Sequence, residues 1–176
     1  SPVHVGDRII GIASSGLHSN GFSLARKVLF TKMDLDMDSQ IAELEKPLGE
    51  ELLTPTRIYV KSVLNLIRDF TIKGLAHITG GGLLENLPRV LPRHCQARLV
   101  GNSWERPAIF DVLQKGGNID DMEMYRTFNN GIGMTVIVPE DQVEDVLTRL
   151  TGLKERAWVI GRVAQCREDD QQVVFE

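Results

Sequence analysis

The chain has 176 residues, enough for one domain with a core of its own. Apolar residues make up 42% and charged residues 25%, the balance of an ordinary globular protein. A net charge of -4, with no basic run and no basic–aromatic stripe, excludes a general attraction to nucleic acid or to anionic membrane. No apolar run reaches the ~20 residues that span a bilayer, and the start carries no signal-peptide pattern. Cys95 and Cys166 stand alone, without CxxC spacing, and read as two reduced thiols of a cytoplasmic protein rather than as a disulfide or metal ligands.

Ser1-Pro2-Val3-His4-Val5-Gly6-Asp7 runs almost directly into the first strand and has no initiator methionine, so the chain is expected to be a piece of a longer protein cut at a domain boundary. Ile9-Ile10-Gly11-Ile12-Ala13 is short and β-branched and predicts a strand. Phe22, Ala25, Val28 and Leu29 recur at spacing three to four and predict a helix over 21–30. The acidic stretch 31–46 reads as a surface loop. Pro47 opens a short helix through Leu53. Thr54 then reads as an N-cap and Pro55 as the first helical position of a helix to Arg68, with Val60, Val63, Leu64 and Ile67 inward.

Ile72–Ile78 predicts a strand and Leu83–Leu87 a short helix that Pro88 ends. Alternation over Cys95–Val100 predicts another strand. Pro107 opens a helix through Lys115 that Gly116-Gly117 stop, and Asp120-Asp121 cap a further short one. Met134–Val138 is a strand. The helix after Pro139 turns Val143, Val146, Leu147 and Leu150 inward, and strands over Ala157–Ala164 and Gln172–Phe175 close the chain as a hairpin. The order predicts an α+β fold, a mixed β-sheet with helices packed against it in a single compact domain over residues 1–176.

Two polar, glycine-rich turns interrupt this pattern, each between a strand and a helix. The first is Ser14-Ser15-Gly16-Leu17-His18-Ser19-Asn20-Gly21-Phe22-Ser23 and the second is Ala76-His77-Ile78-Thr79-Gly80-Gly81-Gly82-Leu83-Leu84-Glu85-Asn86. Glycine lets backbone N–H groups approach a ligand, and a helix N-terminus favours an anion. A polar turn that merely caps its helix, with Asn20 as N-cap, is the plainer reading of the first. The triple glycine fits neither the Walker nor the dinucleotide pattern, but its successive N–H groups could form an anion nest. Both turns follow strands, so they are expected to face one cleft. Trp104 and Trp158 read as core or interface residues.

These two segments resemble the C-terminal domain of the phosphoribosylformylglycinamidine cyclo-ligase (aminoimidazole ribonucleotide synthetase) family. So do Leu53-Thr54-Pro55-Thr56-Arg57-Ile58-Tyr59, the continuation to Pro92, Met124–Met134 and Ala157-Trp158-Val159-Ile160-Gly161, all in the same order. The resemblance implies an ATP-dependent ring closure in purine synthesis, from formylglycinamidine ribonucleotide to aminoimidazole ribonucleotide, ADP and phosphate. It further implies an N-terminal ATP-binding domain that these residues do not include. ATP and Mg2+ would then bind mainly outside this chain, and the full-length protein would be a homodimer.

With the resemblance, Ser14, Ser15, Ser19 and Asn20, together with Thr79, Gly80, Gly81 and Gly82, are candidate substrate-binding residues. Arg126 and Asn129 join them, since arginine suits a phosphate, although Arg126, like Arg57, would equally suit an interface ion pair. His18 and His77 are candidate proton carriers, because imidazole titrates near neutral pH. No metal ligand is expected. The alternatives are half of another member of the superfamily, of selenophosphate synthetase or thiamine-phosphate kinase type, or a non-catalytic ligand-binding or dimerisation module.

Overall fold

Strand β1 (Arg8–Ala13) is buried almost throughout because both faces of the sheet it centres are covered. The computed structural model describes residues 2–167 and 169–176; Ser1, the first residue of the expected boundary, lies outside them. β1 pairs antiparallel with β4 (Ile132–Val138) on one side and with β5 (Ala157–Gln165) on the other. Beyond β4 lies β2 (Gly74–His77), and beyond β5 lie β3 (Cys95–Leu99) and then β6 (Val173–Phe175). All pairings are antiparallel except β3 with β6, so the sheet is mixed, as the element order predicts. The terminal hairpin does not form: β3 lies between β5 and β6, and the chain ends parallel to β3.

Successive strand residues point to opposite faces. Ile9, Ile137 and Ile160 face one side, where Leu83 and Leu87 close the core. Ile10, Ile12, Val136 and Val138 face the other, against Leu66 of α3 (Val60–Asp69) and Val146 and Leu150 of α7 (Val143–Gly152). A third apolar cluster, with Leu29, Leu48, Phe110 and Leu113 fully buried, joins α1 (Phe22–Arg26), its π-helical continuation Lys27–Lys32, α2 (Leu48–Leu52) and α5 (Ala108–Gly117).

Most predicted elements form within a residue or two of their expected ends, with instructive exceptions. Gly21, at φ 73°, caps α1 in place of Asn20. α5 runs through both of its glycines and stops at the left-handed Asn118. Asp120 caps α6 (Asp121–Thr127), its carboxylate accepting from the Glu123 N–H at 3.0 Å. The largest departure is α3. Thr54 and Pro55 do not start it; residues 54–59 are extended or irregular and the helix begins at Val60. Its inward face is also rotated from the expected one. Ser62 and Leu66 are buried, whereas Val60, Leu64 and Ile67 are exposed. Ser62 can face inward because its hydroxyl donates to Glu155 Oε1 at 2.6 Å.

Candidate functional site

β1 and β2 run in the same direction on either side of β4, so the turns that follow them leave the sheet at one end. The start of β4 lies between them: Ser14 N–H donates to Gly131 O at 2.8 Å and Ile78 N–H to Gly133 O at 2.9 Å. The segment leading into β4 separates the two turns physically. Gly21 abuts the Phe128 ring, and a Cβ on Gly82 would run into the Tyr125 carbonyl.

In the first turn, His18 occupies the left-handed region at φ 57° and is 4% exposed. Its Nε2 accepts the Ser15 N–H at 3.0 Å and the Arg57 N–H at 3.4 Å. An acceptor at Nε2 assigns the remaining proton to Nδ1, which is buried without a hydrogen-bond partner. Burial, then the neighbouring His77 and Arg57, push the imidazole pKa down to about 4. The low pKa favours the neutral imidazole, whose Nε2 serves as a backbone clamp on Ser15 and Arg57.

The 53–59 segment is the wall that His18 clamps. Ser15 Oγ donates to Pro55 O at 2.6 Å, and Ser19 Oγ and Thr56 Oγ1 lie 3.2 Å apart. These contacts hold Pro55 to Arg57 away from helical geometry, which is why α3 starts late. Arg57 is anchored from behind by an ion pair of 2.9 Å to Glu155, whose side chain is 8% exposed. Tyr59 donates its hydroxyl to Ala13 O at 2.7 Å, and burial, the largest cause, raises its pKa well above the usual range. Its ring lies between the two histidines, 6.2 Å from His18 and 6.1 Å from His77. His77 itself is exposed at the end of β2 and lines a groove with Arg57, Tyr59 and Met134.

Two of the predicted site residues are internal struts. Asn129 is fully buried, and its amide donates to Gly16 O at 2.9 Å while its carbonyl accepts from Gly131 N–H at 2.8 Å and Ser14 Oγ at 3.0 Å. Ser14 is spent on the same cluster, its one hydroxyl proton lying within reach of both Asn129 Oδ1 and, at 2.9 Å, Gly16 O. Ser15, Ser19 and Asn20 remain nearer the surface, and among the described residues the Asn20 side chain makes no hydrogen bond.

The second turn is knitted together by Asn86, whose Nδ2 donates to Gly82 O at 2.8 Å and Gly80 O at 3.2 Å. Thr79 Oγ1 donates to Asn86 Oδ1 at 3.2 Å. Of the three glycine N–H groups, that of Gly82 donates to Thr79 O at 3.0 Å. The Glu85 side chain folds back against Gly81, bringing a carboxylate close to the turn. Gly80 is exposed, with open space around it. Arg126 is exposed on α6 and lies 3.6 Å from Glu123.

Sequence reasoning missed Tyr59, Glu155 and Asn86. The 53–59 segment was visible as a motif, but its helix-start residues concealed its role as a wall of the first turn. Among the described residues, no group of three or more His, Cys, Asp or Glu is placed to hold a metal ion.

Residues 4–173 match the family described as AIR synthase related protein, C-terminal domain. The chain is 59% identical over 174 residues to a phosphoribosylformylglycinamidine cyclo-ligase of Syntrophotalea carbinolica, covering 99% of this chain and 50% of that protein. It thus spans about half the length of the curated relatives it matches. Among solved structures, thiamine-monophosphate kinase from Stenotrophomonas maltophilia superposes with a TM-score of 0.65 at 21% identity, over 100% of this chain and 52% of the kinase. The hydrogenase maturation protein HypE in complex with ATP does so with a TM-score of 0.60 at 17% identity, over 99% and 48%. At these identities the structural likenesses establish the fold, and the sequence match decides the family: the chain belongs to the C-terminal domain family of AIR synthase related proteins.

Proposed function

We propose that this chain is the C-terminal, substrate-binding half of a cytoplasmic phosphoribosylformylglycinamidine cyclo-ligase. The full-length enzyme converts formylglycinamidine ribonucleotide and ATP to aminoimidazole ribonucleotide, ADP and phosphate in purine synthesis. One observation carries the reading: the first turn and the 53–59 segment, far apart in sequence, meet through His18, Ser15 and Ser19 at the end of the sheet where the second turn also emerges. Cyclo-ligase relatives near 60% identity support the reaction. HypE solved with ATP supports a nucleotide-using superfamily.

ATP activates the formamide oxygen. The amidine nitrogen then attacks the formyl carbon, a C–N bond forms, the C–O bond breaks as phosphate leaves, and the nitrogen gives up a proton. The role of this chain is to hold the substrate and receive that proton. Ser15, Ser19 and Asn20 present polar groups next to the 55–57 segment, whose Arg57 carries a guanidinium, and this end suits the ribose phosphate. The second turn is less suited to it, because Glu85 lies against Gly81 and repels an anion there. Exposed His77 is the proton acceptor, and Thr79 and Gly80 face the base-forming end. Arg126 closes the site from α6. ATP and Mg2+ are held mainly by the other half, and the full-length protein is a homodimer.

The test is ADP release with formylglycinamidine ribonucleotide and magnesium ATP. The full-length protein turns over at an enzymatic rate, on the order of 1 to 10³ per second, and the 176-residue chain alone does not. A full-length protein without that activity, or an isolated chain with it, contradicts the assignment.

A further inference from the structure

Helix α3 carries an apolar stripe on the wrong side for its own core. Val60, Leu64 and Ile67 are 60%, 61% and 49% exposed, and their spacing puts them on one helical face. Ile58, 80% exposed, extends the stripe toward the candidate site. Beside it lie two separate pockets, one lined by Ile58, Val60 and Met134 and one by Ile67 and, from β2, Leu75. Among the described residues the outer edge of β2 pairs with no strand, so the second pocket borders a strand edge with open backbone N–H and C=O groups. Single exposed apolar side chains are ordinary, whereas a contiguous stripe beside an open strand edge marks an interface.

We propose that this face of α3 and β2 is where the amino-terminal half of the full-length protein docks. The inference rests on the reading above that such a half exists, and three observations select it as the occupant. The relatives are about twice as long as this chain, and the family match is to a C-terminal domain, so the further chain lies ahead of it. The point of attachment is adjacent: His4 Nδ1 lies 3.3 Å from Lys73 Nζ, and Lys73 lines the same pocket as Ile67. A segment joined ahead of Val3 therefore reaches the stripe without crossing the molecule. The other pocket, at the Ile58 end of the stripe, is lined by Arg57, Tyr59 and His77. A body seated on the stripe brings its own groups directly against the candidate site, which is where an ATP-binding half has to meet the substrate.

The experiment is thiol labelling of the full-length protein carrying Leu64→Cys, followed by peptide mass analysis. A parallel Ile67→Cys variant guards against a local folding defect. Peptide mass analysis separates the new thiol from Cys95 and Cys166, which are buried in the folded chain and react once urea unfolds it. The new thiol is expected to react with a maleimide at least about tenfold more slowly than in urea, because docking must open before it is reached. Reaction at nearly the urea rate in both variants overturns the proposal. Protection that vanishes on dilution together with a dimer also overturns it, in favour of a second copy as the occupant. Ring-closing turnover of the same preparations separates the two readings. Turnover with a freely reactive thiol sinks only the docking surface, and a protected thiol without turnover sinks only the assigned reaction.

Discussion

Asn129 and Gly16 stand 113 residues apart in the chain and are joined by a hydrogen bond of 2.9 Å from the asparagine amide to the glycine carbonyl. The same side chain accepts from Gly131 N–H and Ser14 Oγ, so every polar group it carries is used in holding the first turn to the start of β4. Asn129→Asp replaces the donor with a carboxylate facing a carbonyl and buries a charge. Chemical denaturation at neutral pH is expected to show a loss of about 3 kcal/mol or more, partly recovered as acid protonates the new carboxyl. A change below about 0.5 kcal/mol, the level of an ordinary surface substitution, contradicts the strut role.

His18 gives the fold an acid-sensitive clamp. Its folded-state pKa of about 4 lies below the ordinary imidazole value of 6.5, so between these values the unfolded chain binds the proton and the native state does not. The stabilisation is complete above about pH 6.5 and is lost as pH falls toward 4, by at most about 1.4 kcal/mol for each step of one in pH. Asparagine also tolerates the left-handed backbone at this position. Stability measured from pH 7 to 4 is expected to fall more steeply in the wild type than in His18→Asn. Parallel profiles contradict the assignment of Nε2 as a buried acceptor.

The triple glycine divides into positions with different duties. Gly82, at φ 56°, has the Tyr125 carbonyl where a Cβ would lie, so Gly82→Ala combines left-handed strain with a backbone clash and is expected to cost about 3 kcal/mol or more. Gly80 faces open space, and Gly80→Ala is expected to stay within about 0.5 kcal/mol. Thermal unfolding of the two variants checks the contrast. Equal destabilisation removes the claim that Gly82, unlike Gly80, serves close packing.

His77 and His18 separate in a kinetic test. His77 is exposed at the end of an edge strand, so His77→Asn is expected to leave the unfolding midpoint in place. As the proton acceptor, its removal from the full-length enzyme lowers kcat by about 10² to 10⁴. An unchanged kcat assigns the proton transfer elsewhere.

Much of the fold was legible because local patterns and tertiary context agree. The β-branched run Ile9–Ala13, the Asp120 cap and the Val146/Leu150 face of α7 each form as their residues predict. Thr54-Pro55 carries good helix-start chemistry, yet contacts with Ser15 and His18, some forty residues away, hold it extended. The face of α3 was misread because the helix has two apolar faces, and periodicity cannot say which one meets the sheet when the inward face includes a serine paired with Glu155. The two turns were legible as polar, glycine-rich loops after strands. What stayed hidden was which of their residues are internal struts, since a buried Ser14 or Asn129 and a surface-facing Ser19 look alike in sequence.

The most direct test is the hydrogen-exchange footprint of formylglycinamidine ribonucleotide on the full-length protein. Within this domain, slowed exchange is expected in residues 15–20, 56–57 and 79–81, with the α7 segment 143–152 unchanged. Exchange left unaltered in all three loops at saturating substrate, while protection appears elsewhere in the domain, would contradict the claim that this end of the sheet holds the substrate.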